Sequence, residues 1–405
     1  MAKENRRPKN LKSYSPGSGV VLKPNREKSV LSRHRWIFSG AIQSYPENFV
    51  NGQIYPVFSF EGQLLGYGYF NQKCSLSGRL VSFGSNDPKE SIRENLIEAL
   101  KLREITYKQT EAVRLVNGES DNLPGLIIDR YQPGLVIQIS TLGMEKLKPF
   151  ILEVLIEILK PEFIYEKSLI PSRKEEGLPE FEGLLTGKLQ EPLIVEEQGL
   201  KFKIFLTEAQ KTGFFLDQRE MRQLVRNMAA GRKVLDGFCY TGGFGLSALK
   251  GGARQVDLVD SSKKALEVAR DNLILNAFSE QSFRLINQDL FDFLKQAKSL
   301  DYELVILDPP AFAKKKADEK QAIKAYRELN RLAMERMKPR SFLLTFSCSY
   351  YIDSQMFQKI IFQAALEAGK EARIVQRHRL AMDHPVSIFH PESDYLKGFL
   401  LYLSS

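Results

Sequence analysis

The chain has 405 residues, and at ~100–200 residues per domain this length implies two to four domains. Hydrophobic residues make up 43% and charged residues 26%, an ordinary globular balance that excludes long disorder and fibrous classes. The formal charge of +9 is uneven, with net +8 over residues 1–84, −7 over 85–200 and +8 over 201–405, so two basic surfaces for a polyanion are expected.

Residues 1–19 are polar and basic and end in Ser15-Pro-Gly-Ser-Gly19, the pattern of a flexible arm without an apolar signal segment behind it. From Val20 to Phe83 short β runs alternate with Gly, Pro and Asn, among them Gly19–Leu22, Gln53–Phe58 and Leu64–Phe70, which predicts a small β barrel or sandwich. Asp87-Pro88 then opens a helix to about Tyr107. The section from about 89 to 190 mixes helices with strands at Leu126–Asp129 and Leu135–Ile139. Its longest apolar stretch, Pro149–Leu159, is broken by Glu153 and Glu157 and falls short of a membrane span, so a soluble protein is expected.

After about residue 200, strand and helix alternate. Lys233–Asp236, Gln255–Asp260, Phe283–Ile286, Leu304–Leu307 and Phe342–Phe346 read as buried parallel strands, with helices over Ser262–Ala277 and Lys320–Met337. This is a doubly wound α/β sheet, which binds ligands at the carboxyl ends of its strands.

The residues at those ends carry the chemistry. The first strand runs into Asp236-Gly-Phe-Cys-Tyr-Thr-Gly-Gly243, where glycines let the backbone approach a ligand. The second ends in Asp260, placed to accept hydrogen bonds from ribose hydroxyls, so an adenosine-containing cofactor fits. Gly243, Gly245 and Ala248 also satisfy the dinucleotide pattern G-x-G-x-x-A, but they begin where the chain should already be helical, which weakens a nicotinamide reading. The fourth strand ends in Asp308-Pro-Pro-Ala-Phe312, a carboxylate on a stiff turn, and the fifth in Ser347-Cys348-Ser349, a cysteine poorly placed for core packing. Cys74, Cys239 and Cys348 are too scattered for a disulfide framework or zinc site. With four histidines in all, no metal is expected, and a reducing cytoplasm fits.

At this point the chain resembles the RlmI-type S-adenosylmethionine-dependent 23S rRNA (cytosine-C5)-methyltransferases along nearly its whole length. The matching stretches are Leu22–Lys28, Arg35–Gly40, Glu119–Tyr131, Gln210–Arg219, the Asp236–Gly243 loop, Asp308–Phe312, Ser347–Ser349 and Tyr395–Phe399. The resemblance implies an RNA-binding PUA domain (20–84), a small central α/β domain (85–195) and a class I methyltransferase domain (196–405).

It also implies that S-adenosyl-L-methionine lies against Thr212, Phe215, Asp217, Gln218, Arg219, Asp236, Gly237, Phe238, Tyr240, Thr241 and Gly242. Asp260 would take the ribose and Asp289 the adenine amino group, with Asp308 and Pro309 at the reactive end. Cys348 would be the nucleophile that adds to C6 of cytosine, because C5 is a poor nucleophile without covalent activation. Its thiol pKa is expected to be lowered by a positive or hydrogen-bonding environment. Asp308 would bond the N3/N4 edge. Many RNA cytosine-C5 enzymes of other families have a second cysteine where Ala311 follows Pro310 here, so the base for the last proton is left unassigned. Cys239 reads as packing and Cys74 as inert.

Arg33, Arg35, Lys314 and Lys315 are the expected RNA contacts, near His34 and Trp36, the latter also suited to the core. The partner would be 23S rRNA or a large-subunit precursor, with no membrane, and the oligomeric state is open, a homodimer being one option. Base-nitrogen methylation and a non-catalytic RNA-binding assembly factor stand as the rival readings.

Overall fold

The computed structural model describes residues 17–107, 110–209, 211–313 and 315–404. Most of the basic arm and Lys314 lie outside the described residues.

The first sheet holds β1 (Val20–Leu22), β2 (Trp36–Phe38), β3 (Ile42–Ser44), β4 (Ile54–Phe58), β5 (Leu64–Phe70) and β6 (Leu76–Phe83), in the order β2-β6-β5-β4-β1-β3, with a one-turn α1 (Lys28–Leu31). Its apolar faces close over Val20, Leu22, Ile37, Val57, Phe70 and Leu80. The chain then enters α2 (Pro88–Thr106). Asp87 caps it by accepting from the N–H groups of Lys89 and Glu90, both at 2.9 Å, and Pro88 sits where no intrahelical N–H is needed.

The central sheet holds β7 (Ala112–Asn117), β8 (Leu126–Tyr131), β9 (Gly134–Ile139), β10 (Phe163–Ser168) and β11 (Phe181–Gly187) in the order β11-β10-β9-β8-β7. Helix α3 (Leu142–Leu159) crosses between the parallel strands β9 and β10, and α4 (Pro171–Glu175) precedes β11. The first sheet does not stand apart from this unit. Tyr69 and Val81 are buried in the central core, the Tyr69 hydroxyl donates to Pro124 O at 2.7 Å, and Arg79 pairs with Glu176 at 2.8 Å. A Cβ on Gly143 would lie 2.0 Å from the Tyr69 ring, so only glycine allows that approach.

A hairpin of β12 (Leu193–Glu197) and β13 (Leu200–Ile204) leads to the last unit. Leu193 and Val195 are buried in a core shared by the central sheet and the last unit, and the expected boundary at residue 195 falls within β12. There follow α5 (Arg219–Met228), β14 (Lys233–Gly237), α6 (Gly243–Lys250), β15 (Gln255–Asp260), α7 (Lys263–Leu275), β16 (Phe283–Asn287), α8 (Leu290–Gln296) and β17 (Leu304–Leu307). The chain ends through α9 (Glu319–Arg336), β18 (Ser341–Ser347), α10 (Ser354–Glu367), β19 (Ala372–Arg377) and β20 (Lys397–Leu403).

The sheet order is β16-β15-β14-β17-β18-β20-β19, with β20 antiparallel to both neighbours. This is the class I methyltransferase arrangement. The order reverses between β14 and β17, and the crevice at such a switch point receives the ligand. The sequence reading found the five parallel strands but named neither β20 nor the edge strand β19. That edge strand has mostly exposed side chains and no apolar run, so periodicity gave no signal for it. No helix among the described residues is long and apolar enough to cross a membrane.

Candidate active site

The wall on the β14 side is built by backbone strain. After Gly237 the chain turns with Phe238 at φ +61° and Tyr240 at φ +47°, a region that bulky residues rarely occupy. Hydrogen bonds hold the turn: Cys239 N–H donates to Val259 O at 3.1 Å, Gly242 N–H to Cys239 O at 2.8 Å and Tyr240 N–H to Asp260 Oδ2 at 2.9 Å. Asp260 Oδ1 accepts from Ser262 N–H at 2.8 Å, so the carboxylate is fixed at the tip of β15. Gly237 has no room for a side chain, since a Cβ there would meet Leu290 Cδ2 at 2.6 Å.

Asp236 is buried, and its Oδ2 accepts the Gly245 N–H at 2.8 Å. Burial first, then the charges of Asp308 and Asp260, push its carboxyl up to about 8. Asp308 is half-buried at the end of β17 and accepts from Gln218 Nε2 at 3.1 Å. Burial and the Asp217 charge push it up to about 7. Burial would raise Asp217 too, but Lys211, His384, the Tyr395 hydroxyl at 2.5 Å and Arg114 together hold it well below the usual carboxylate range. Asp236 Oδ1, Asp217 Oδ1 and Gln218 Oε1 are buried acceptors without a hydrogen-bond partner among the described residues. A crevice with three carboxylates and orphaned acceptors suits a cationic, donor-bearing ligand, and the ammonium and sulfonium groups of S-adenosylmethionine meet that demand.

Cys348 faces the same turn as Asp308. Its half-buried thiol donates to Pro309 O at 3.7 Å. The neighbouring serine is fixed from two sides: Ser349 Oγ accepts the Ala313 N–H at 3.1 Å and lies 2.9 Å from the Tyr326 hydroxyl. The expected lowering of the thiol pKa is not what the structure gives. Burial pushes the thiol up to about 11, with Asp308 and Asp217 adding to the rise while Lys211 and Lys397 oppose it. Desolvation outweighs the nearby cations, so the thiol of the free protein is protonated at neutral pH.

The remaining expected residues fall in different places. Thr212 is buried and donates to Asp129 Oδ2 at 2.5 Å. Phe215 meets Tyr240 edge-to-face at 5.4 Å. Thr241 accepts from Asn272 Nδ2 at 3.1 Å through its carbonyl, and Gly242 takes φ +85° before α6. Exposed Asp289 caps α8, with Oδ1 accepting from Phe291 and Asp292 N–H at 2.8 and 3.2 Å. Arg219 is not brought to the crevice. Its guanidinium is spent on Glu197 at 2.9 Å, Ala112 O at 2.5 Å and Asp383 at 3.4 Å.

On the first sheet, Arg33 is exposed over the Phe83 ring, and Lys315 is exposed before α9. Arg35, expected to contact RNA, is instead buried, donating to Asn122 Oδ1 and Leu80 O at 3.0 Å each. Trp36 is half-buried and donates to Glu119 at 3.1 Å.

Sequence reading missed Lys211, Asp217's partner Tyr395, and Lys397. All three stood in matching stretches, Lys211 in Gln210–Arg219 and the other two in Tyr395–Phe399, but none carried a local signal of its own. It also missed a spatial cluster of His34, His390 and Glu392, which come from distant parts of the chain. His34 Nδ1 accepts the Trp36 N–H at 3.3 Å, which puts the ring proton on Nε2, facing Glu392 Oε1 at 3.4 Å. That tautomer leaves His34 without a lone pair for a metal in this arrangement.

Residues 180–376 match a family model of S-adenosylmethionine-dependent methyltransferases, and residues 20–83 match a model of PUA-like domains. The chain is 38% identical over 388 residues to ribosomal RNA large subunit methyltransferase I of Shewanella amazonensis, covering 94% of this chain and 98% of the relative. It is 39% identical over 390 residues to the protein of that name from Vibrio vulnificus, with the same coverage. A solved methyltransferase complexed with SAH shares the fold at TM-score 0.82 and 23% identity, covering 94% of this chain and 99% of its own. A solved S-adenosylmethionine-dependent methyltransferase from Streptococcus mutans does so at TM-score 0.80, 23% identity and the same coverage. The chain therefore belongs to the ribosomal RNA large subunit methyltransferase I family and uses S-adenosylmethionine as its methyl donor.

Proposed function

We propose that the protein methylates C5 of a cytosine in 23S rRNA, free or within a large-subunit precursor, through a covalent bond between Cys348 and C6. The observation that carries this reading is the meeting of two strand tips, where the Cys348 thiol touches the carbonyl of Pro309 beside the Asp308 carboxyl. A nitrogen methyltransferase needs no thiol there.

Bound S-adenosylmethionine supplies an electrophilic methyl group. Asp236, Asp260, the Phe238–Gly242 turn and the Thr212–Gln218 segment hold it in this reading. Asp308, pushed up to about 7, is poised to exchange a proton at neutral pH and faces the N3/N4 edge of the base. Addition breaks the Cys348 S–H bond and forms S–C6, and the proton reaches N3 by way of the Asp308 carboxyl. The electron pair made available at C5 then forms the bond to the methyl carbon as the bond from that carbon to the sulfonium breaks, its pair staying on the sulfur. The C5 proton leaves to water, the S–C6 bond breaks with its pair returning to sulfur, and the N3 proton goes back by way of the Asp308 carboxyl to restore the thiol and the neutral aromatic base.

The basic first sheet, with exposed Arg33, docks the RNA, and Lys315 beside the Asp308 turn meets its phosphates.

RNA carrying 5-fluorocytosine at the target tests this reading. Addition and methylation can proceed on it but no C5 proton can leave, so the parent protein should form a denaturation-resistant band. Cys348→Ala should form none and transfer no methyl, while still binding the cofactor. A fully active Cys348→Ala protein would instead favour methylation of a base nitrogen.

A further inference from the structure

We propose that the turn from Ser387 to His390 is a wedge for rRNA, with Ile388 filling the gap left by the extruded target base and Phe389 stacking on a neighbouring base. The proposal rests on the reading of 23S rRNA as the substrate, but not on the chemistry of Cys348. The turn lies in the connection between β19 and β20. Ser387 and His390 close it as an antiparallel bridge, with the His390 N–H donating to Ser387 O at 2.9 Å and the Phe389 N–H to Ser387 Oγ at 3.3 Å. Its two central residues are Ile388, 87% exposed, and Phe389, 50% exposed. Central turn positions favour Gly, Asn, Asp, Ser and Pro, and the fold gains nothing from large apolar side chains held in water there. Met382 and Val386 of the same connection are exposed as well, so these are not scattered single residues.

The tip is held between the first sheet and the crevice. On one side His390 packs edge-on to Trp36 at 4.4 Å and lies 5.0 Å from His34, which seats the turn on the first sheet next to exposed Arg33 and Phe38. On the other side the Ala381 N–H donates to Asp217 O at 3.4 Å, and the Tyr395 hydroxyl donates to Asp217 Oδ2 at 2.5 Å. Both ends of the connection are thus tied to the wall of the crevice. At the foot of the turn, Asn117 Nδ2 donates to Pro385 O at 3.2 Å.

Asp308 and Cys348 are half-buried at strand tips, and an enzyme acting on a base reaches it only once the base has left the stack. Proteins hold such a gap open with Phe, Leu, Ile, Met or Pro side chains and stack unpaired bases on aromatic rings. The area favours a base step over a protein partner. Two exposed side chains offer on the order of 300 Å², against ~800 Å² per partner in a stable protein interface. Exposed Arg379 precedes the turn in the same connection and brings a charge for phosphate.

The test uses the full-length protein and 23S rRNA from cells lacking its gene, with Ile388→Ser and Phe389→Ser singly and together. Both side chains are exposed, so S-adenosylmethionine affinity by calorimetry should match the parent. In Phe389→Ser, kcat/KM for methyl transfer to the rRNA should fall roughly five- to a hundredfold, the loss expected for one stacked base. Ile388→Ser should lower it too, and the double variant further. The salt dependence of KM for rRNA should keep the parent's slope, since no phosphate contact is removed. Phe389→Trp, which keeps a stacking face, should stay near the parent.

Parent kinetics in the double variant would overturn the proposal and leave the 23S rRNA reading standing. A shallower salt slope would overturn it by making the turn a phosphate contact. A parent dimer that becomes a monomer in the double variant on ultracentrifugation, with kcat/KM unchanged, would overturn it by giving the turn to a second copy of the chain. A parent that methylates no 23S rRNA would overturn that reading and the proposal with it.

Discussion

Replacing Asp236 by Asn tests whether the buried carboxylates exist to receive a cation. The Asp236 carboxyl is pushed up to about 8, chiefly by burial and then by Asp308 and Asp260, against the pull of the Gly245 N–H. An unfolded aspartate titrates near ~3.9, so the free fold favours the protonated group, and the stability this group contributes is lost as pH rises from about 4 to about 8. Binding S-adenosylmethionine favours the carboxylate and must release the proton wherever the free protein holds it. Affinity should therefore rise with pH by up to ~tenfold per unit for each proton released. Asp308, pushed up to about 7, adds a second proton at the acid end.

Asp236→Asn has no proton to release, so the rise should flatten between about pH 7 and 8. At about pH 8 its affinity should fall by ~1.5–3 kcal/mol, the loss of one hydrogen bond to a charged group, or roughly ten- to a hundredfold. The unliganded Asn variant should be at least as stable as the parent at alkaline pH. Isothermal titration calorimetry in buffers of different ionisation enthalpy measures affinity and protons together. A parent affinity that is flat with pH, or an Asn variant that binds as tightly throughout, would refute the reasoning.

Arg219→Met should act on stability and spare the cofactor. Glu197 keeps Arg222 and Asp383 keeps His384, so the cost should be near the low end for breaking a buried pair, about 3 kcal/mol. For a unit of ~150–250 residues that is roughly 6–12 °C in Tm, with S-adenosylmethionine affinity unchanged below the transition. A variant that melts with the parent but binds the cofactor poorly would put Arg219 back in the crevice. Arg33→Glu should weaken rRNA-fragment binding and reduce the slope of log K against log salt by about 0.7–0.9 for each phosphate left unneutralised. Fluorescence anisotropy across a salt series checks it, and an unchanged slope would remove Arg33 from the RNA surface.

The parallel core of the last sheet was legible because β14 to β18 are apolar runs, and strand tips are where such sheets bind ligands. Asp236, Asp260, Asp308 and Cys348 could each be found from one strand and the residues after it. What the sequence hid is pairwise and long-range. The basic residue Arg35 carries no mark that Asn122 will claim its guanidinium, nor Arg219 that Glu197 and Asp383 will. The thiol of Cys348 was expected to be lowered by a positive or hydrogen-bonding environment, while burial dominates it in the fold. Burial is a property of the fold, and a local motif does not contain it.

The same long-range contacts show why the crevice cannot be separated from the units before it. Thr212 is anchored by Asp129 of β8, whose carboxylate is itself held by Arg114 of β7 at 2.8 and 2.9 Å. The Phe214 N–H donates to the Tyr131 hydroxyl at 2.9 Å, so the Thr212–Gln218 segment takes its shape from the central sheet. Asp383, in the connection between β19 and β20, accepts from the Arg114 N–H at 3.1 Å and bonds His384 at 2.8 Å. Further along that connection, His390 packs edge-on to Trp36 at 4.4 Å, and Glu392 faces His34. The connection that carries Tyr395 and leads to Lys397 is thereby braced on both earlier sheets. Buried charge-assisted hydrogen bonds of this kind hold their partners in place. Here the contacts come from the first sheet, the central sheet and the last unit, so the surroundings of Asp217, Asp308 and Cys348 are braced by all three, and a last unit cut free at its amino end would lose those supports.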